Sequence, residues 1–237
     1  MLVHGAGNTS QVWQKVQPLL EFPSVAVNLP GRRDRVRGIA EVTLDEAIRT
    51  VAADVDGDDP LIVVGHSAGG ILVPGLAAHW GRRVLELIFL AGLCAPDGET
   101  VDASVRPDGV AELRARLSEM RTQFANCMLE PDPSVTGMTA IDERTAMPID
   151  SLNLMSQPVS WAGVPDVPRT FVRCLRDRVQ TRPLQDKLIS NCNASAVLDL
   201  DCGHTPALTA PAELADTLNA LVRRRLELTQ SEKGLTS

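Results

Sequence analysis

Lysine is scarce in this chain of 237 residues, which carries three lysines against 20 arginines. That bias is expected of a bacterial protein from a GC-rich genome. Positive charge is also in deficit overall: Lys+Arg number 23 against 30 Asp+Glu, a formal net charge of −7. A general nucleic-acid binder is therefore excluded. The arginine clusters at Arg32, Arg33, Arg35 and Arg37, at Arg82 and Arg83, and at Arg223 to Arg225 are expected to be solvated loop or helix-end charge. The five cysteines (Cys94, Cys127, Cys174, Cys192, Cys202) are odd in number and include no short-spaced pair. Reduced thiols are expected, neither a disulfide framework nor a zinc site. No secretory leader pattern and no apolar run of membrane-spanning length is present, so the cytoplasm is the expected compartment. No internal repeat or low-complexity segment is found. Met1-Leu2-Val3-His4-Gly5 reads as the end of a buried strand, either short or lacking its first residues.

What is present is the composition of an ordinary globular chain, 44% hydrophobic and 22% charged, long enough for one large α/β domain. Its most informative stretch is Pro60-Leu61-Ile62-Val63-Val64-Gly65-His66-Ser67-Ala68-Gly69-Gly70. Four consecutive aliphatic residues, three of them β-branched, predict a short strand buried on both faces. A G-x-S-x-G pattern follows directly, and Ile71-Leu72-Val73 with Leu76-Ala77-Ala78 then reads as helix. So tight a strand-to-helix reversal strains its middle residue and needs glycines where the two elements approach. Ser67 is thereby predicted to stand at the carboxyl edge of a sheet, on a nucleophile elbow facing a helix N-terminus. A phosphate-binding loop is excluded because no Gly-Lys-Ser/Thr follows.

Strand and helix alternate along most of the remaining chain. Leu2-Val3-His4-Gly5-Ala6-Gly7 is a strand end entering a glycine-rich turn. Asn8, Thr9 or Ser10 then caps a helix carrying Val12, Trp13, Val16, Leu19 and Leu20. Strands are predicted at Ser24–Asn28, Val84–Ala91, Arg169–Cys174 and Ala196–Leu200. Helices are predicted from Thr43 through Ala52, around Pro183 to Asn191, and from Pro211 with the stripe Leu214, Leu218, Leu221, Val222. This alternation implies a mostly parallel sheet with right-handed crossovers. The pattern breaks between Pro96 and Pro168. There prolines, short helices and one amphipathic helix near Ala111 to Cys127 accompany Met120, Met128, Met138, Met147, Met155, Leu152-Asn153-Leu154 and Trp161. An insertion of that length reads as a lid, with thioethers forming either an adaptable pocket wall or a small core of its own.

Three predicted strand ends carry Ser67, Asp177 and His204, in that order. A serine hydroxyl needs an imidazole to take its proton, and the imidazole needs a carboxylate to fix its tautomer. Among the other histidines, His4 is expected to be structural, His66 is fixed inside the elbow and His79 lies on a helix. Asp97 is the rival acid, while Asp199 and Asp201 stand too close to His204 in sequence. Backbone N–H groups of Ala6 and Ala68 are the candidate oxyanion donors.

Leu2-Val3-His4-Gly5-Ala6 with Trp13, Gly65-His66-Ser67-Ala68-Gly69-Gly70, Cys174-Leu175-Arg176-Asp177, and Gly203-His204-Thr205-Pro206 with Pro211 together resemble the α/β-hydrolase superfamily. The resemblance is closest to its methylesterase and hydroxynitrile-lyase branch and bacterial relatives. It implies an α/β-hydrolase fold, a mostly parallel sheet flanked by helices with an inserted helical lid. Residues 1–95 and 169–228 would form the core, 96–168 the lid and 229–237 a disordered tail. It implies Ser67, Asp177 and His204 as a triad, with Ala6 and Ala68 as the oxyanion hole. Hydroxynitrile lyases of that branch carry threonine and lysine where this chain has Gly5 and Thr205, so hydrolysis is favoured. The expected activity is that of a serine carboxylesterase acting on a small-molecule ester with an apolar part, through an acyl-enzyme and with no cofactor or metal. Thioester, amide or C–C cleavage by the same triad, and a ligand-binding protein with little turnover, are the alternatives.

Overall fold

The run Leu61–His66 becomes the central strand, β3, because its aliphatic side chains find apolar partners on both faces of the sheet. The computed structural model describes residues 1–30, 42–105 and 152–235. Within them β1 (Leu2–Val3), β2 (Ala26–Val27), β3, β4 (Val84–Leu90), β5 (Arg169–Cys174) and β6 (Ala196–Leu200) form one six-stranded sheet in the order β2-β1-β3-β4-β5-β6. Every neighbouring pair is parallel. Alternation sorts the side chains into two cores: Val63, Leu87, Phe89 and Phe171 on one face, Val64, Ile88, Leu90 and Val172 on the other.

The first core is closed by α1 (Leu44–Ala52), α2 (Val73–Trp80) and, through Leu188 and Cys192, by α5 (Arg182–Asn191) and the residue after it. Thr43 caps α1 as expected, its hydroxyl oxygen accepting from Glu46 N–H at 3.2 Å. The second core is closed by Trp13 and its neighbours together with α7 (Pro211–Leu235), following the short α6 (Pro206–Thr209). Two further short helices, α3 (Val101–Val105) and α4 (Leu152–Ser156), border residues 106–151. The expected amphipathic helix near Ala111 to Cys127, together with Met120, Met128, Met138 and Met147, lies outside the described residues, as do Arg32, Arg33, Arg35 and Arg37. Met155 and Trp161 are described and pack against the first core.

Four expectations are corrected. The segment after Thr9 is two 3₁₀ turns, Ser10–Trp13 and Gln17–Leu19, rather than one helix. Pro18 has no N–H to continue an α-helix and its ring would meet the preceding turn. Val12, Trp13 and Val16 are still buried, but Leu19 is exposed. The second strand is shorter than Ser24–Asn28, since its partner β1 is itself two residues long and only Ala26 and Val27 pair with it. The tail predicted to be disordered over 229–237 is helical through Leu235. No proline interrupts it, and the hydroxyls of Thr229 and Ser231 bond back to the carbonyls of Arg225 and Glu227. Arg225 is not a solvated charge: its Nε lies 3.3 Å from the buried Glu86 carboxylate, which also accepts from Thr170 Oγ1 at 2.6 Å.

The order of the sheet decides where a site can form. The chain moves outward from β1 to β2 and then returns to the other side of β1 to make β3. The loops after β1 and β3 therefore diverge at a switch point, where parallel sheets open a crevice at their carboxyl edge.

Candidate active site

Ser67 stands directly after β3 with φ of 49°, a left-handed conformation that costs a non-glycine residue about 1–2 kcal/mol. Close packing enforces it. A Cβ at Gly69 would fall 2.7 Å from His4 O and 2.8 Å from Val3 O, so β1 presses on the turn. The carbonyl of Ser67 accepts from Leu93 N–H at 2.8 Å, which binds the turn to the loop after β4. The 3₁₀ turn Ser67–Leu72 then leads into α2.

The acid is carried by the turn after β5. Asp177 Oδ1 accepts from the backbone N–H groups of Val179 and Gln180, both at 2.8 Å, leaving Oδ2 to face His204. Gln185, reaching in from α5, closes this turn from behind. Its Nε2 donates to the carbonyls of Cys174 and Gln180, and its Oε1 accepts from Cys174 N–H. Sequence reasoning missed Gln185, since a glutamine in a polar helix carries no signal of what it will bridge.

His204 lies four residues beyond β6. Its Nδ1–H donates to Asp177 Oδ2 at 2.6 Å, and its Nε2 accepts from the Ser67 hydroxyl at 3.0 Å. The Asp177 side chain is wholly buried and that of His204 is 9% exposed, so both bonds are shielded from competing water. The structure thus brings Ser67, Asp177 and His204 together. Asp97 is elsewhere, exposed and accepting from Trp161 N–H at 2.8 Å. His4 is buried, donating from Nδ1 to Gly5 O and accepting from Leu29 N–H at Nε2. The loop after β1 lies against the serine: a Cβ on Gly5 would fall 2.9 Å from Ser67 Cβ. Ala6 follows in that loop, and Ala68 is the second residue of the turn begun by Ser67. The first N–H groups of such a turn have no acceptor within it.

Two thiol pairs flank the region, Cys174 with Cys202 and Cys94 with Cys192, each in side-chain hydrogen-bond contact. All four are free and buried, and burial pushes the Cys94 thiol up, which makes that thiol a poor nucleophile. Among the described residues no cluster of His, Cys, Asp and Glu could hold a metal ion, and no helix is long and apolar enough to cross a membrane.

His66 behaves differently from a surface histidine. Burial pushes its imidazole down to about 3 from 6.5, with the neighbouring His204 adding repulsion. An unfolded chain takes up this proton below pH 6.5, whereas the folded chain refuses it until about pH 3. The contribution to stability is therefore complete above pH 6.5 and shrinks as pH falls, by about 1.4 kcal/mol per unit. Urea denaturation at pH 7 and pH 4.5 checks this. The fall in unfolding free energy between the two should be about 2–3 kcal/mol smaller in His66→Gln than in wild type.

The sequence model of the alpha/beta hydrolase family matches residues 1–217. Lipase LipV of Mycobacterium tuberculosis is 29% identical, over 95% of this chain and 92% of its own. Methylesterase 2 of Arabidopsis thaliana is 24% identical, over 93% and 94% respectively. The crystal structure of a pyrethroid hydrolase from Sphingobium faniae superimposes with a TM-score of 0.75, covering 95% of this chain and 97% of that one at 22% identity, a likeness of fold.

Proposed function

Because the chain belongs to the alpha/beta hydrolase family and is a hydrolase of the serine carboxylesterase type, we propose that it cleaves the carboxylic ester of a small or medium apolar substrate through an acyl-enzyme on Ser67. The observation that carries this reading is the unbroken chain from the Ser67 hydroxyl through both ring nitrogens of His204 to Asp177, at 3.0 and 2.6 Å. Ser67 Oγ attacks the ester carbonyl carbon while His204 Nε2 takes its proton. The imidazolium so formed is held by the Asp177 carboxylate, and the N–H groups of Ala6 and Ala68 receive the oxyanion. Collapse of the tetrahedral intermediate returns the proton from His204 to the departing alkoxide, and the alcohol leaves. A water molecule, deprotonated by His204, then attacks the acyl-enzyme and frees the carboxylic acid and Ser67.

Gly5 supports hydrolysis over cyanohydrin cleavage. A side chain at that position would begin 2.9 Å from Ser67 Cβ and 3.0 Å from His66 Nδ1, so the threonine of hydroxynitrile lyases fits only if the serine moves. Residues 96–168 are assigned as a lid over a core of 1–95 and 169–228, with the lid selecting the acyl and alcohol groups. The cytoplasm, where thiols such as the four buried here stay reduced, is the compartment this reading assumes.

A panel of p-nitrophenyl esters from acetate to decanoate tests the proposal. Wild type should release nitrophenol from at least the shorter members, and Ser67→Ala about a million-fold more slowly. Equal inertness of the two proteins across the panel would remove the esterase reading.

A further inference from the structure

His66 adjoins Ser67 in sequence and His204 in space. Its Nε2 lies 2.8 Å from the main-chain carbonyl of His204, 138 residues away. A carbonyl oxygen can only accept, so Nε2 carries the proton and donates it. The ring is 2% exposed. Its centroid lies 5.2 Å from that of His204, and Trp13 meets it edge-on at 6.3 Å. The segment bearing His204 is irregular between β6 and α6, and a Cβ at Gly203 would meet nothing within 4 Å. Regular structure therefore does not hold this segment in place. It is tied on one side by Arg176, whose N–H donates to Cys202 O at 2.9 Å and whose guanidinium donates to Asp201 O at 2.6 Å. On the other side it is tied by His66.

We propose that His66 is a positioning residue, bracing the His204 main chain against the nucleophile elbow so that the imidazole stays in register between Ser67 and Asp177. The inference rests on reading Ser67, His204 and Asp177 as the proton-transfer chain of the hydrolase. Buried, and with Nε2 engaged by a carbonyl, His66 does not touch substrate. It acts through geometry. Adjacent residues of one rigid turn supply the nucleophile and the bond that locates its base, so the distance from Nε2 of His204 to the serine oxygen is set at both ends by the same short stretch of chain. A misplacement of about 1 Å in such a pair costs about 100-fold in rate.

Three substitutions separate this role from packing. His66→Gln keeps an N–H donor the same number of bonds from Cβ as Nε2, His66→Phe keeps a ring without the donor, and His66→Asn keeps an amide one bond too short. On the p-nitrophenyl ester that wild type turns over fastest, Gln should retain kcat within about threefold, while Phe and Asn lose about 10- to 100-fold with KM little changed. In proton NMR the downfield resonance of the His204 Nδ1 proton, held 2.6 Å from Asp177, should persist in the Gln variant and be lost or broadened in Phe and Asn. Undiminished kcat and resonance in Phe and Asn, or a Gln variant as impaired as Phe, would overturn the inference while leaving the esterase reading intact. If wild type turns over no ester, that reading falls instead and the resonance alone decides. One cooperatively melting variant of Phe and Asn is enough. Failure of both to fold beside a folded Gln variant makes His66 a purely structural residue and also overturns the inference.

Discussion

Ser67→Ala is expected to lower kcat on a p-nitrophenyl ester by about a million-fold, about 8 kcal/mol of barrier, with the fold intact. The loss is large because no other group can stand in for the hydroxyl. Ser67 is held in a left-handed conformation at the sheet edge, and its neighbours His66 and Ala68 present a buried ring and a methyl group. The base would remain paired to Asp177 at 2.6 Å but would have no proton to receive. What survives is the rate due to binding and to the oxyanion donors, about 10³- to 10⁴-fold over water. Alanine keeps a Cβ, so the left-handed strain at this position is unchanged. Losing the one hydroxyl bond to His204, worth about 1 kcal/mol, should move the thermal midpoint by no more than about 4 °C. Stopped-flow nitrophenol release checks the claim: the burst should vanish and the steady state should fall by about a million-fold. A variant retaining a hundredth of wild-type kcat would show that another residue is the nucleophile.

Asp177→Asn should cost about 10⁴-fold in kcat, through the tautomer and not the fold. The backbone decides which way the new amide points. Val179 and Gln180 both donate to Oδ1 at 2.8 Å, so the amide oxygen must occupy that place and the NH₂ must take the place of Oδ2. A donor then faces His204 Nδ1, which can only accept from it, and the ring proton moves to Nε2. A protonated Nε2 cannot take the proton of Ser67. Asp177→Ala differs, because it also strips the Val179 and Gln180 N–H groups of their buried acceptor, each worth about 1–3 kcal/mol. Steady-state kinetics with parallel thermal melts should therefore find Asn inactive but stable, and Ala inactive and destabilised. An Asn variant within tenfold of wild type would remove Asp177 from the proton-handling chain.

Much of the scaffold could be read from the residues alone. β3 opens on four consecutive aliphatic residues, and β4 and β6 are apolar but for Glu86 and Asp199. The elbow that follows β3 is a local motif whose glycines are dictated by contacts with its own neighbours. Thr43 could be read as a cap because capping is also a local matter. Patterns that compete were misread. Val12, Trp13, Val16, Leu19 and Leu20 are spaced like a helix face, but Pro18 turns the segment into 3₁₀ turns. The polar composition after Leu228 suggests disorder, whereas a 25-residue helix already begun at Pro211 continues through it, each added residue needing no new nucleus. Gln185, Arg225 and His66 could not be read at all. Arg225 and His66 have their roles through partners far away in the chain, Arg225 meeting Glu86 across 139 residues and His66 meeting His204 across 138, while Gln185 closes a nearby turn that nothing in a polar helix marks. The candidate site itself was legible as three residue types in a fixed order. Its register, with Oδ1 of Asp177 held by two amides so that Oδ2 faces the imidazole, came only with the coordinates.

Covalent capture of the nucleophile tests the whole account most directly. Wild-type protein incubated with a p-nitrophenyl alkylphosphonate, digested and analysed by mass spectrometry, should carry one phosphonyl group on the peptide containing Ser67. Labelling should be slowed at least 1,000-fold in His204→Ala and be absent in Ser67→Ala. An unmodified Ser67 peptide after prolonged incubation, or a label carried by any other residue, would contradict it.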